Sequence, residues 1–375
     1  MQLLHTSDWH LGMTAGNTSL EEDQRFFLQQ LYQIIKAEKV DAVLCAGDIY
    51  DSSVSNADAI AVYNDAATTI CTELKVPFLV IAGNHDGAPR LSSCRELLKA
   101  AGLFVTGRLT REILPVCFPD TDIYLVPFFH KEEVMALFPE RKKEIISQEK
   151  ATQAVCDEIR KKMNKDKRNI LMTHALIVNA DLSESDRSAR VGFASAVSKD
   201  VFEGFDYVAL GHIHKPQVIS ERIRYSGSPV MYSFGKEESQ EKSVVILDTE
   251  TMEQHLVPLK QLHGHKTIQG TYDEIMAMEG LENYYLRVKL TDRYAGLELL
   301  AQLQEHFPYL LELHGKSLEE NGKMTALTVG QIQTMDEMDI MKKFCEETFS
   351  GEPTKAQAAL FKEVLEWSEK EAELS

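Results

Sequence analysis

Five short segments carry side chains that could bind metal ions, and each follows a run of residues typical of a buried β-strand. They are Asp8-Trp9-His10, Gly47-Asp48, Gly83-Asn84-His85-Asp86, Thr173-His174 and Gly211-His212-Ile213-His214. Ligands of open α/β sheets bind where the strands end, so we expect the five segments to meet at one edge. Glycines before Asp48, Asn84 and His212 permit tight turns where the backbone must present a side chain.

These segments offer oxygen and nitrogen donors and no thiolate. Seven residues are candidate metal ligands: Asp8, His10, Asp48, Asn84, His174, His212 and His214. Imidazoles mixed with carboxylates and an amide suit manganese, iron or zinc better than magnesium. Seven ligands are too many for one ion with an open position, but they suit two ions that share a carboxylate, as in two-metal hydrolases.

Each candidate taken alone has a simpler interpretation. Asp8 or Asp48 could cap a helix, His174 could be a hydrogen-bonded core histidine, and His212 with His214 could be a loop pair. Their joint occurrence at strand ends favours the metal site. Other histidines have no companion motif, and we expect no metal role for His5, His130, His255, His306 and His314. His263 and His265 are predicted to lie in a linker turn.

Strand-like and helix-like stretches alternate through the first part of the chain, which predicts βαβ units and a largely parallel central sheet. The predicted strands are 2–5, 42–45, 78–82, 123–126, 170–173, 207–210, 222–225 and 243–248, and the predicted helices are 21–37, 56–74 and 140–163. After a change of character near 260–265, residues 267–329 predict a small α/β domain with strands 284–290 and 310–314 and helix 297–306. Two capping boxes, Thr334 to Glu337 and Thr354 to Gln357, predict a C-terminal helical pair.

Composition narrows the class of protein. The 375 residues are 44% hydrophobic and 26% charged, as in an ordinary globular chain, and no apolar run is long enough to cross a bilayer. The six cysteines form no CxxC pair and the N-terminus does not look like a signal peptide, so we expect reduced thiols and a cytoplasmic protein. The net charge of −18 gives no broad basic footprint for nucleic acid.

The motifs together resemble the calcineurin-like metallophosphoesterase superfamily, and within it the SbcD family of bacterial nuclease subunits. The narrower likeness depends on TSDWHLG at 6–12, HALIVNADLSESDR at 174–187, ALGHIHKPQ at 209–217 and YSGSPVMYSFGKEE at 225–238. It is strong as far as residue 248, and beyond that it concerns mainly the layout. The resemblance implies a β-sandwich of mixed sheets flanked by helices, a small α/β capping domain and a C-terminal helical pair.

The same resemblance assigns roles to the candidate residues. A first metal would be held by Asp8, His10, Asp48 and His214, and a second by Asp48, Asn84, His174 and His212. His85 would not bind metal but would stabilise the reacting phosphate or protonate the leaving oxygen. Archaeal and eukaryotic relatives often have a catalytic histidine where Asp51 stands. We therefore expect no catalytic role for Asp51 and predict that its side chain caps a loop.

The resemblance also implies an activity, domains and partners. It implies a manganese-dependent nuclease that cuts duplex ends and hairpins in DNA repair and recombination, working with the ATPase SbcC and DNA, as a homodimer within a heterotetramer. Residues 1–260 would be the nuclease domain, 266–330 the predicted capping domain and 334–375 the ATPase-docking segment. Two alternatives stay open: another phosphodiesterase of the superfamily that acts on small nucleotides, and a catalytically silent DNA-end scaffold. A phosphoprotein phosphatase is disfavoured because no arginine follows Gly47-Asp48 closely.

Overall fold

A computed structural model describes residues 1–16, 18–186 and 195–315, together with Thr354, Gln357, Ala358, Leu360 and Lys362. Its first six-stranded sheet has the order β14-β13-β1-β4-β5-β6. These strands are β1 (Gln2–Thr6), β4 (Ala42–Cys45), β5 (Phe78–Ile81), β6 (Leu103–Thr106), β13 (Ser243–Asp248) and β14 (Gln254–Pro258). From β1 to β6 the strands run parallel, whereas β13 and β14 are antiparallel to their neighbours.

A second six-stranded sheet has the order β11-β12-β10-β9-β8-β7. Its strands are β7 (Val116–Cys117), β8 (Thr121–Val126), β9 (Arg168–His174), β10 (Tyr207–Gly211), β11 (Gln217–Ser220) and β12 (Ile223–Tyr225). The four central strands are parallel and the two edge strands antiparallel. A two-stranded hairpin, β2 (Thr14–Ala15) with β3 (Thr18–Ser19), lies outside both sheets.

The two large sheets pack face to face around a shared apolar layer, to which Leu44 and Leu79 contribute from one sheet and Met172 and Ala209 from the other. Four longer helices cover the outer faces. They are α1 (Glu21–Ala37) and α2 (Ala57–Thr68) on the first sheet, and α5 (Lys131–Leu137) and α6 (Gln148–Arg160) on the second. The short α3 (Ala88–Leu91) and α4 (Arg95–Leu98) follow β5. The expected sandwich of mixed sheets flanked by helices is confirmed.

A small three-stranded parallel sheet follows, with its own apolar core. Its elements are β15 (Gly264–Gly270), α7 (Tyr272–Met276), β16 (Tyr284–Leu290), α8 (Leu297–His306) and β17 (Leu310–His314). Ile268, Ile275, Val288, Leu303 and Phe307 fill the space between strands and helices. We refer to 264–315 as the cap. Residues Met1–Gly315, which include it, form one compact unit.

One local prediction was wrong, and a second holds only in part. The helix predicted at 140–163 is interrupted, because a 3-10 turn (Pro139–Arg141) comes first and α6 begins only at Gln148. Ser147 ends the interruption, since its side chain accepts the backbone N–H of Lys150 as an N-cap. His263 lies in the bend between β14 and β15, as predicted, but both histidines are buried and His265 already belongs to β15.

The C-terminal predictions fall almost entirely outside the described residues: the predicted helices, the Thr334 to Glu337 box, Cys345 and the span 316–330 of the predicted capping domain. The second capping box does lie within the described residues. It is confirmed, because Thr354 N–H donates to Gln357 Oε1 and Gln357 N–H donates to Thr354 Oγ1. The five described cysteines are free. Among the described residues, no helix is long and apolar enough to cross a membrane.

Candidate metal centre

The predicted segments meet where β1, β4, β5, β9 and β10 end. Backbone hydrogen bonds join the first two loops: Asp8 N–H donates to Gly47 O at 2.9 Å and His10 N–H donates to Asp48 O at 3.0 Å. Asp8, His10 and Asp48 have φ of +54°, +43° and +50°, and His212 has φ of +104°. Such values are uncommon for residues with a side chain and cluster at functional sites, so the loops hold four of the seven candidates in strained conformations.

The three glycines identified from the sequence are needed mainly because other atoms approach their Cα atoms closely, and less because the backbone must turn there. Only Gly47 has a positive φ, of +92°. A Cβ on Gly83 would lie 2.1 Å from Asp48 Oδ1, and one on Gly211 would lie 1.9 Å from Ala46 O. A side chain at either position would therefore displace the candidate ligands or the backbone that holds them.

Gly211→Ala should disrupt the site, because its Cβ would displace the Ala46 carbonyl that accepts His174 Nδ1–H and would itself come within 2.9 Å of that nitrogen. Displacement on the order of 1 Å can cost about 10²-fold in turnover, and we expect a loss of that size. The matched control is Gly296→Ala, where nothing lies within 4 Å and the backbone is extended. Equal phosphoesterase turnover in the two variants would contradict the close-approach argument.

The first cluster of donors contains Asp8, His10 and His214, whose ligand atoms lie within 4.8 Å of one another. His10 Nε2 and His214 Nε2 are 3.0 Å apart. Both oxygens of Asp8 accept the His212 backbone N–H, at 3.0 and 3.2 Å, and Asp8 Oδ2 also accepts the Ser7 hydroxyl at 2.5 Å. All three cluster residues are buried.

The second cluster contains Asp48, Asn84, His174 and His212. His174 Nε2 lies 3.2 Å from Asp48 Oδ2 and 3.0 Å from Asn84 Oδ1. His212 Nδ1 lies 2.9 Å from the same amide oxygen and 3.2 Å from His174 Nε2. Asp48 Oδ2 is also 3.8 Å from His10 Nε2, so this carboxylate lies between the two clusters.

The donor chemistry of the second cluster fits a divalent cation. His174 Nδ1–H donates to the Ala46 carbonyl at 2.8 Å, so neutral His174 carries its lone pair on Nε2. That lone pair faces two electron-rich oxygens, and a cation among them satisfies all three. Ligands that bind one ion at about 2.1 Å lie roughly 3.0 to 3.4 Å apart, which is the spacing seen here.

A proton is the natural competitor of that cation. Burial lowers the pKa of His174, but the Asp48 carboxylate outweighs it and the pKa rises to about 9. The pKa of His212 moves the other way, to about 3, through burial and the nearby His174. Without metal at neutral pH, His174 therefore holds a proton that a metal ion must displace, whereas His212 is already neutral.

Metal binding should accordingly release about one proton from His174 below pH 9, and this contribution should vanish above it. Apparent metal affinity should rise with pH up to that point, because the protonated imidazole competes less. Manganese titration calorimetry at about pH 7 and about pH 10, in buffers with different ionisation enthalpies, measures the difference in proton release. Identical release at both pH values would contradict the assignment.

His85 is held beside the clusters. Its backbone N–H donates to Asp48 Oδ1 at 2.9 Å, and its Nδ1–H donates to the Asp51 carbonyl at 2.9 Å, which leaves Nε2 available for proton exchange. Its ring meets the His10 ring edge-on, 4.9 Å between centroids. The Asp51 carboxylate lies 3.3 Å from His10 Nδ1, so Asp51 lies close to His10 through its side chain and contacts His85 through its backbone carbonyl.

Sequence reasoning missed several residues that hold the loops together. Asp86 accepts the backbone N–H groups of Ile49, Tyr50 and Gly83, and so ties two loops into one unit. Gln24 on α1 donates to the His10 carbonyl at 2.7 Å. Asp86 stands inside the Gly83 segment, but nothing local distinguishes it from a ligand, and Gln24 carries no motif signal.

Of the histidines without a companion motif, His130 lines the cavity beside the second cluster, whereas His5 and His255 belong to neither cluster. His5 is in the core between Tyr207 Oη and the Leu210 carbonyl, and burial lowers its pKa to about 3. His255 is exposed and 3.2 Å from Glu38. Among the described residues, a third group of side chains whose donor atoms are close enough to hold a metal ion is His10, Asp51 and His85.

Comparison with known proteins now adds to the geometry. Residues 1–216 match the calcineurin-like phosphoesterase family, and 258–349 match the type 5 capsule protein repressor C-terminal domain. The SbcD subunit of the SbcCD nuclease from Staphylococcus epidermidis is 30% identical over 373 residues, covering 97% of this chain and 98% of the relative. The chain belongs to the SbcD family of calcineurin-like phosphoesterases. It is therefore a hydrolase of the phosphoesterase class, whose family binds divalent metals.

Two solved structures are also similar. A Thermus thermophilus protein matches at a TM-score of 0.40 and 12% identity, covering 69% of this chain and 99% of that one. A dimetal phosphatase from Danio rerio matches at a TM-score of 0.34 and 11% identity, covering 60% and 86%. At this level of similarity the family assignment stands on the sequence matches.

Proposed function

We propose that this protein is a DNA nuclease that hydrolyses phosphodiester bonds with two divalent metal ions, preferably manganese. The observation that carries the proposal is the pair of donor clusters with Asp48 between them. The first ion would take Asp8, His10, Asp48 and His214, and the second Asp48, Asn84, His174 and His212. The relative from Staphylococcus epidermidis, a nuclease by name, supports nucleic acid as the substrate class.

When bound, the two ions supply Lewis acidity at the phosphoryl oxygens and a lowered pKa for an attacking water. The chain's own contribution is to hold the donors rigidly and to manage protons. His85, anchored through Nδ1 and its backbone N–H, presents Nε2 to protonate the leaving oxygen. A cavity of about 340 Å³ opens beside the second cluster, lined by Asn84, His174 and His212 with Phe128 and Thr173, and gives a phosphodiester room there.

The charge balance bears on how DNA would be held. The net charge of −18 gives the chain no overall excess of positive charge, which proteins that grip a duplex usually have. The metal ions, the cap and a partner must therefore supply most of the holding. We propose an SbcC-type ATPase as that partner, in a complex that processes DNA ends during repair and recombination, with two copies of this chain in a heterotetramer.

The deciding experiment is a nuclease assay on end-labelled duplex and hairpin DNA with manganese, with and without the partner ATPase and ATP. Shortened duplexes or opened hairpins support the proposal. Hydrolysis of cyclic nucleotides with no action on DNA would favour a small-nucleotide phosphodiesterase instead. Binding of DNA ends without any cleavage, with metal bound, would favour a silent scaffold.

Truncation after Val329 should separate catalysis from partner binding. The predicted helices beyond it carry apolar residues on more than one face, which would benefit from a partner surface. We expect the truncated chain to keep manganese-dependent nuclease activity and to lose co-purification with the ATPase, measured by affinity pull-down against the full chain. Retained co-purification would place the docking surface elsewhere.

A further inference from the structure

A chain of polar groups, buried except for the half-buried Ser185, lies behind His214, on the side away from the metal cluster. The Nε2 edge of the His214 ring faces His10, and its Nδ1 edge lies 2.7 Å from Ser185 Oγ. Ser185 belongs to the segment 174–187 and its next partner, Glu237, to the segment 225–238. Most of both segments has had no part in the proposed chemistry so far.

Glu237 is fully buried, and both oxygens of its carboxylate have hydrogen-bond partners. Oε1 accepts the hydroxyls of Ser185, in a short hydrogen bond, and of Ser233 at 2.8 Å. Oε2 accepts the Tyr232 backbone N–H at 3.0 Å and lies 3.0 Å from Lys242 Nζ. The Glu237 and Lys242 side chains are each 0% exposed.

Lys242 returns the chain to the same histidine. Its ammonium group donates to the His214 backbone carbonyl at 3.1 Å and to Ser228 Oγ at 3.0 Å, in addition to Glu237. A buried ion pair is costly to desolvate, and apolar residues of similar volume often stabilise a fold as well or better. Both ends of this pair meet at His214, one through the ring and one through the backbone, which indicates a positioning role.

The direction of each hydrogen bond fixes the state of the histidine ring. A carboxylate paired with Lys242 only accepts. The charged Glu237 Oε1 lies closer to Ser185 Oγ than Ser183 Oγ does, at 2.9 Å, so the single hydroxyl proton of Ser185 is donated to Glu237. Ser185 Oγ must then accept from His214, which places the His214 proton on Nδ1. Nε2 is left with its lone pair, directed at the first metal cluster.

We propose that Glu237 and Lys242, acting through Ser185, position His214 and select the tautomer that can bind the first metal ion. Carboxylates that orient a metal-binding histidine are a recurrent arrangement, and losing one typically costs about 10- to 100-fold in metal affinity. Here a serine hydroxyl stands between carboxylate and ring. The inference rests on the proposed two-metal function.

The test is titration of the full chain with manganese alone, read by calorimetry. Wild type should show two sites, and Ser185→Ala should weaken one of them by about 10- to 100-fold while the other is unchanged. Ser185→Thr keeps the hydroxyl and should restore binding. Glu238→Gln is the control, because Glu238 accepts hydrogen bonds from Thr267 in the cap and none from His214.

A second measurement separates positioning from a merely structural effect. Nitrogen-15 NMR of the metal-free protein should show His214 protonated at Nδ1 in wild type and Ser185→Thr, with Nε2 protonation appearing in Ser185→Ala. Wild-type affinity at both sites in Ser185→Ala, or Nε2–H in the wild type, would overturn the inference alone. Fewer than two manganese sites in the wild type would overturn the two-metal function, and the inference with it.

Discussion

Replacing His85 with alanine should lower DNA cleavage by at least about 10²-fold and leave both metal sites filled. The side chain is anchored by the Asp51 carbonyl and lies beside the clusters, and we give it the role of proton donor and not of ligand. General acid catalysis contributes about 10²- to 10⁴-fold, which sets the expected loss. Turnover on end-labelled duplex DNA and bound manganese, measured on the same preparation, check the two halves of the statement.

The leaving group offers a sharper version of the same test. A p-nitrophenolate leaves without protonation, so His85→Ala should lose much less activity on thymidine 5′-p-nitrophenyl phosphate than on DNA. His255→Ala, a change to an exposed histidine on β14, is the matched control and should behave as wild type. Loss of metal from His85→Ala would mean that His85 is a ligand, and equal losses on both substrates would mean that it stabilises charge without donating a proton.

The candidate site was accessible from the sequence because each of its segments is short and local. A polar residue directly after a buried strand needs only the strand to be recognised, and the end-of-strand rule then brings five segments together. The structure places Asp8, Asp48 and His174 in two clusters, as this rule leads one to expect. The strands that lie between these residues along the chain can be recognised from local periodicity.

The arrangement of the sheets was less accessible. Pairing of β1 with β13 joins Gln2 to Asp248, and no local pattern encodes a contact over that distance. The same limit explains His263, whose Nδ1 lies 3.2 Å from Asp23 on α1 and whose ring packs on Tyr285 and Tyr309. Without these partners, a histidine beside a glycine suggests a turn.

Supporting residues were the least predictable part of the site. Glu237 and Glu238 are neighbours of the same type, yet one lies behind His214 and the other accepts hydrogen bonds from the cap strand β15. Both lie in the 3-10 turn Gly235–Ser239, where successive side chains point about 120° apart, and only the folded chain shows which faces His214. Asp86 differs from Asp48 in its environment. Burial, followed by the charge of Asp48, raises the pKa of Asp86 to about 6, whereas hydrogen bonds from three backbone N–H groups act to lower that pKa.

Asp48→Asn should have the largest effect on metal binding, because Asp48 lies between the two clusters and is placed to serve both proposed ions. Its Oδ2 lies 3.2 Å from His174 and 3.8 Å from His10, while Oδ1 accepts the His85 backbone N–H. Asparagine keeps the shape and can still accept that hydrogen bond, so the fold should persist. Both ions should bind far more weakly, and DNA cleavage should fall by more than about 10³-fold through joint loss of the metals.

Thermal unfolding with and without manganese measures this loss independently of catalysis. A ligand at about 100 times its Kd stabilises the native state by about 2.7 kcal/mol, so wild type should gain at least that much and Asp48→Asn almost nothing. Asp41→Asn makes the same chemical change at an exposed position that accepts the Gln2 backbone N–H, and it should retain the full gain. If Asp48→Asn kept the manganese-dependent gain, Asp48 could not be the shared ligand, and the two clusters would have to bind their ions separately.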